Sequence, residues 1–151
     1  MSTKPVPPMT ERLGYLLKHA QLRFFELSAA VFAPLGVSGQ EAAVLRAIDS
    51  PEPLSQGDVA RRMRIDRTTM VALIDDLERK GLAQRRQDPG DRRKNVVELT
   101  GAGRETLRLA NEAAGEAEQI FLSPLPPDER DRFMTALRAL LSAEPIKGPN
   151  G

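Results

Sequence analysis

Residues 54–100 read LSQGDVARRMRIDRTTMVALIDDLERKGLAQRRQDPGDRRKNVVELT. Ser55 has an acidic residue, Asp58, three positions on, the spacing at which a hydroxyl and a carboxylate cap each other at a helix start. The helix they open is short and ends near Met63. Arg64-Ile65-Asp66 is a turn, and Asp66 caps a longer helix, Arg67 to Lys80. Met70, Leu73, Ile74 and Leu77 give that helix one apolar face. Gly81 stands at the C′ position, where a left-handed residue closes a helix. Beyond it the period changes to that of strands. Leu82–Arg86 and Val96–Thr100 read as a pair, joined through the turn residues Asp88-Pro89-Gly90-Asp91.

Helices flank this centre on both sides. From about Thr10 to Ala33, Leu13, Leu16, Leu17, Ala20, Phe24, Leu27 and Val31 recur at spacings of three and four. Leu22, Phe25, Ala29 and Phe32 widen the stripe, and a helix apolar on more than one side needs more than one partner. Pro34 and Gly36 end it. Ser38-Gly39-Gln40-Glu41 has capping-box spacing and opens a second helix to about Asp49, with Ala42, Leu45 and Ile48 toward the core. Ser50-Pro51-Glu52-Pro53 breaks the chain. Thr100 caps a long helix to about Leu122, Ser123-Pro124 interrupts it, and Pro126-Pro127 opens a last helix from about Asp128 to Ser142.

The order is α-α-α-α-β-β-α-α: a mainly helical chain with a small β-hairpin. Residues 1–9 are expected to be disordered and 143–151 to form a loose tail. Residues 10–35 and 101–142 form helical arms that bracket a compact unit over 36–100.

Bulk charge says little, because 22 Lys/Arg nearly balance 21 Asp/Glu. Its distribution says more. From Arg61 to Lys94 there are eleven Lys/Arg against six Asp/Glu, while the rest of the chain has eleven against fifteen. A basic middle in a mildly acidic chain is the asymmetry of a protein that meets phosphates at one face, although a solvated charged surface gives the same count. There are no cysteines and one histidine, His19. This leaves no disulfide scaffold, no set of soft metal ligands and no cysteine nucleophile. No cofactor is called for, and no glycine-rich phosphate loop or clustered His/Asp/Glu set suggests an enzyme. No apolar run has the ~18 residues of a membrane helix, so the expectation is a soluble, cytoplasmic protein without a membrane partner.

A short helix, a tight turn and a second helix make a helix-turn-helix, whose second helix can lie in the major groove of double-stranded DNA. Its first residues must then be donors that reach base edges or phosphates, and here they are Arg67-Thr68-Thr69. The hairpin straight after it serves as a wing, which can place an arginine in the adjacent minor groove. Arg92 and Arg93 are the candidates at its tip, with Arg85, Arg86 and Lys94 on its shoulders. Asp91 suits the role of an orienting partner for a neighbouring arginine. Arg61, Arg62 and Arg64 are either phosphate contacts or solvated surface.

The run Leu77-Glu78-Arg79-Lys80-Gly81-Leu82, then Arg85 or Arg86, Asp88-Pro89, Asp91-Arg92-Arg93, and Leu99-Thr100 with Gly103 resembles the core motif of MarR-type regulators. With the order of elements, the likeness extends over roughly residues 10–142. It implies a homodimer knitted together by the terminal helices, with one winged helix per subunit on a palindromic operator. It further implies repression, relieved when a small aromatic or phenolic effector binds between the two regions. The motif carries the wing arginine over to Arg93, with Asp91 as its partner, and the recognition positions to Arg67, Thr68, Thr69 and Ala72. Val71-Ala72 depart from the polar residues usual at mid-helix, which shifts weight to methyl contacts and DNA shape. Asp75 and Asp76 would repel phosphate. They are expected to face away, or Asp75 to pair with Arg79 four residues on.

Tyr15, His19 and Arg23 are the candidate effector contacts, Arg23 as counter-ion to an anionic ligand. Against this, the aromatic residues serve equally as dimer core and Arg23 as surface charge. Two other functions stay open: a winged-helix protein-interaction module that does not bind DNA, and a constitutive regulator that binds no effector.

Overall fold

The structure is a computed structural model and describes residues 6–143. The expectations of a disordered start and a loose tail fall largely outside these residues. Residues 6–8 have no regular structure, and Met9–Glu11 form a single 3-10 turn. Arg12 is extended (φ −78°, ψ 142°), so the first helix begins later than Thr10.

The elements are α1 (Leu13–Phe32), α2 (Gly39–Ile48), α3 (Gln56–Met63), α4 (Arg67–Arg79), β1 (Ala83–Gln87), β2 (Asn95–Leu99), α5 (Gly101–Leu122) and α6 (Pro127–Ser142). A 3-10 turn, Ala33–Leu35, extends α1, and Gly36 in the left-handed region closes it. The caps form as their spacing requires. Ser38 and Glu41 bond each other's backbone amides, and Ser55 and Asp58 repeat the device. Each box satisfies amides that a helix start would otherwise leave orphaned.

The core lies in the central unit. Val44, Leu45, Val59, Met70, Ile74 and Leu77 are fully buried there, from α2, α3 and α4. Strands β1 and β2 pair antiparallel with Ala83 opposite Leu99 and Gln87 opposite Asn95. Leu54 adds a one-residue bridge to Val97, accepting its N–H at 2.9 Å, so β2 is flanked on both sides.

Residue 103 fixes how α5 leaves the hairpin. A Cβ on Gly103 would stand 1.9 Å from the Leu82 carbonyl oxygen, so only glycine fits. Thr100 completes the corner: its hydroxyl donates to the Gly81 carbonyl and accepts from the Gly103 amide.

The arms are built differently. α1 lies along α5, with Phe24 edge-on to Phe121, yet Leu13, Leu16, Leu17, Leu22 and Phe25 stay exposed. α6 buries none of its side chains, and Phe133, Leu140 and Leu141 are exposed. Among the described residues no single helix is long and apolar enough to cross a membrane.

Candidate nucleic-acid interface

The turn of the helix-turn-helix rests on Arg64, which adopts the left-handed conformation (φ 52°). That conformation costs a side-chain-bearing residue about 1–2 kcal/mol. It lets α3 stop and the chain re-enter α4 within three residues. Asp66 then caps α4 twice over. One carboxylate oxygen accepts the Thr69 amide at 2.9 Å and the other accepts the Thr69 hydroxyl at 2.6 Å. These two bonds from Thr69, the hydroxyl's first, hold the Asp66 carboxyl below the usual aspartate range. They also correct an expectation: the Thr69 hydroxyl has spent its proton on Asp66, so it cannot donate to phosphate while the cap holds. Arg67, Thr68 and Ala72 remain exposed, and Arg67 and Thr68 make no side-chain hydrogen bond among the described residues.

The wing tip is shaped by its own aspartates. Asp88 accepts the Gly90 amide at 2.8 Å and Asp91 accepts the Arg93 amide at 3.0 Å. Asp91 therefore orients Arg93, and does so through the main chain. Arg92, Arg93 and Lys94 are exposed and form no ion pair among the described residues.

Other candidates are committed inside the chain. Arg86 pairs with Glu98 across the hairpin, so it is a cross-strand brace rather than a free cation. Glu98 also accepts from Gln84, and these bonds, Gln84's first, lower its pKa. Arg61 pairs with Asp58 at 2.6 Å on the surface of α3, yet its side chain stays exposed; Arg62 and Arg64 are exposed and unpaired among the described residues. The ion pair expected between Asp75 and Arg79 does not form. Arg79 takes Asp76, three residues back, while Asp75 pairs with Arg85 at 2.7 Å.

Three contacts had no readable signal in the sequence. Leu54 is one apolar residue between a proline and a cap, too short to show a period. Glu41 is buried and holds Lys80 at 2.8 Å, joining the start of α2 to the C-cap of α4. Gln56 and Glu78 converge on Arg85 from α3 and α4.

Among the effector candidates, the Tyr15 and His19 rings lie 4.0 Å apart on adjacent turns of α1. Arg23 follows one turn later, exposed. Two surface clefts flank the α2–α3 connection, and neither is lined by Tyr15, His19 or Arg23.

Residues 35–94, from the end of α1 to the wing tip, match the MarR family. The chain is 26% identical over 140 residues to the transcriptional repressor NicR of Pseudomonas putida, covering 93% of this chain and 89% of NicR. The transcriptional repressor CouR, solved on a 23-mer DNA duplex, superposes with a TM-score of 0.81 at 33% identity, over 93% of this chain and 99% of CouR. BpsR of Bordetella bronchiseptica, whose DNA binding is regulated by 6-hydroxynicotinic acid, gives 0.80 at 27% identity, over 93% of this chain and all of BpsR.

Proposed function

The chain belongs to the MarR family of transcriptional regulators, and from that premise we propose that it is a homodimeric repressor released from its operator by a small aromatic acid. DNA binding to a duplex is the family's work, and the division of cations supports this chain's version of it. The arginines on β1 have acidic partners: Arg85 and Arg86. The cations at the turn, at the start of α4 and at the wing tip have none among the described residues: Arg64, Arg67, Arg92, Arg93 and Lys94. This contrast is the observation that carries the reading. Unpaired cations are the ones that can release counterions from a phosphate backbone.

Arg67 and Thr68 would read base edges or phosphates from the N-terminal turn of α4, and Ala72 would lie against a thymine methyl. Arg93, held by Asp91, would enter the minor groove with Arg92 beside it. The exposed leucines of α1 and α6 support a second copy as partner, since α6 has no buried side chain in the single chain. Two recognition helices on a two-fold axis demand half-sites about 34 Å apart. Tyr15, His19 and Arg23 suit an aromatic carboxylate: a stacked ring pair to pack against it and one guanidinium for its charge. BpsR's regulation by 6-hydroxynicotinic acid supports that class of effector.

Selection of bound genomic fragments, followed by sequencing, tests the reading. We expect a palindrome with half-sites one helical turn apart, bound by a dimer in sedimentation and released by a hydroxylated aromatic acid. A single, asymmetric site bound by a monomer would refute the dimeric repressor, and recovery of no sequence would point to a protein partner instead.

A further inference from the structure

We propose that Arg85 is a positioning residue: it docks the wing onto the recognition helix through Glu78 and Asp75, and does not itself touch DNA. The inference rests on the DNA-binding reading above.

The geometry begins at the sheet edge. Val97 sends its N–H to Leu54, away from β1. Arg85, directly opposite Val97 in the register, sends its own N–H outward from the sheet. An outward amide on an edge strand needs a partner. It finds one in Glu78 of α4, whose Oε1 accepts it at 2.8 Å. The other oxygen of Glu78 takes the Arg85 guanidinium at Nη1. Nη2 reaches both Asp75 at 2.7 Å and the Gln56 side-chain oxygen at 2.8 Å, and Nε also points to Gln56. Every guanidinium nitrogen thus has a partner inside the chain. The side chain is only 26% exposed, unlike the exposed arginines at the wing tip. One residue therefore ties α3, α4 and β1 together, and fixes where the wing stands relative to the helix that enters the groove.

This makes an unusual prediction of sign. Asp75 and Glu78 are carboxylates on the recognition helix, and neutralising either should strengthen binding to a polyanion if charge alone mattered. If they anchor the wing, neutralising them should weaken it. The effects of Arg85 and Glu78 should also fail to add, because both break one link.

The experiment measures the affinity of wild type, Glu78→Gln, Arg85→Gln, the double variant and Asp75→Asn for the duplex recovered by selection with the wild type. Thermal unfolding selects a temperature at which each variant is folded. Glu78→Gln and Arg85→Gln are each expected to weaken binding about tenfold, with the double variant no weaker than the worse single. Asp75→Asn, at a half-exposed position that leaves the Glu78 anchor in place, is expected to weaken binding less but in the same direction. Tighter binding by Glu78→Gln or Asp75→Asn, or additive losses in the double variant, would overturn the proposal while leaving DNA binding intact. Failure of the wild type to bind any duplex would overturn both.

Discussion

Arginine 64 shows how one residue can serve fold and function at once. Its left-handed backbone makes the turn between α3 and α4, and its side chain, three residues before the recognition helix, is exposed and without an ion pair among the described residues. Glycine enters that conformation freely but loosens the unfolded chain. Arg64→Gly should therefore leave stability within about 1 kcal/mol of wild type, while DNA affinity falls severalfold. Urea unfolding and duplex titration would measure the two separately, and an unchanged affinity would remove Arg64 from the interface. The residue scale is also where sequence reading failed most. Residue type identified Thr69 and Arg86 as functional groups, but not the partner each would choose, and for Asp91 it gave the partner, Arg93, but not the atom. Thr69 bonds Asp66, Arg86 bonds Glu98, and Asp91 bonds a backbone amide. Those choices depend on rotamers and cross-strand register, which a linear sequence does not display.

Elements were more legible, because their boundaries are set by local chemistry. The caps at Ser38, Ser55, Asp66 and Thr100, and the left-handed Gly81, all stand where their spacing put them. The strand pair came from the change of period after Gly81, while the Leu54 bridge, made by one residue, had no period to detect. Two consequences follow from the caps and corners. Ser55 hydrogen bonds, the hydroxyl's first, lower the Asp58 pKa, and Thr69 does the same to Asp66. A carboxyl with a lowered folded pKa contributes stability above its unfolded value and loses it as pH falls through the folded one. Helices α3 and α4 should thus lose their caps as pH drops below the ordinary aspartate range, and Ser55→Ala should flatten that acid slope. Circular dichroism against pH would reveal it; identical acid profiles would contradict the cap. At the other corner, Gly103→Ala pushes a methyl into the Leu82 carbonyl and should cost about 3 kcal/mol. Gly115→Ala, in the same helix, meets nothing within 4 Å and should gain about 1 kcal/mol. Equal effects at the two positions would show that helix propensity, not the close approach, governs residue 103.

On the scale of the whole molecule, one core joins the centre to the near ends of its arms, through Phe32 of α1 and Leu107 and Ala110 of α5, while the outer faces of the arms stay uncovered. The centre has the buried core, whereas α6 buries nothing and α1 keeps five large apolar side chains exposed. The breadth of α1's apolar surface was visible in its sequence; the thin packing of α6 was not, because Phe133, Leu137, Leu140 and Leu141 have the spacing of any core-facing helix. A chain arranged in this way is expected to act in pairs, with each substitution at the wing felt twice per complex. The most direct test is the slope of log affinity against log salt on the selected duplex, for wild type and Arg93→Ala. A dimer whose wings both reach the backbone should bind with a steep slope that becomes shallower by about two when both copies of Arg93 are removed. A slope unchanged by the substitution, or no binding even at low salt, would contradict the winged-helix account.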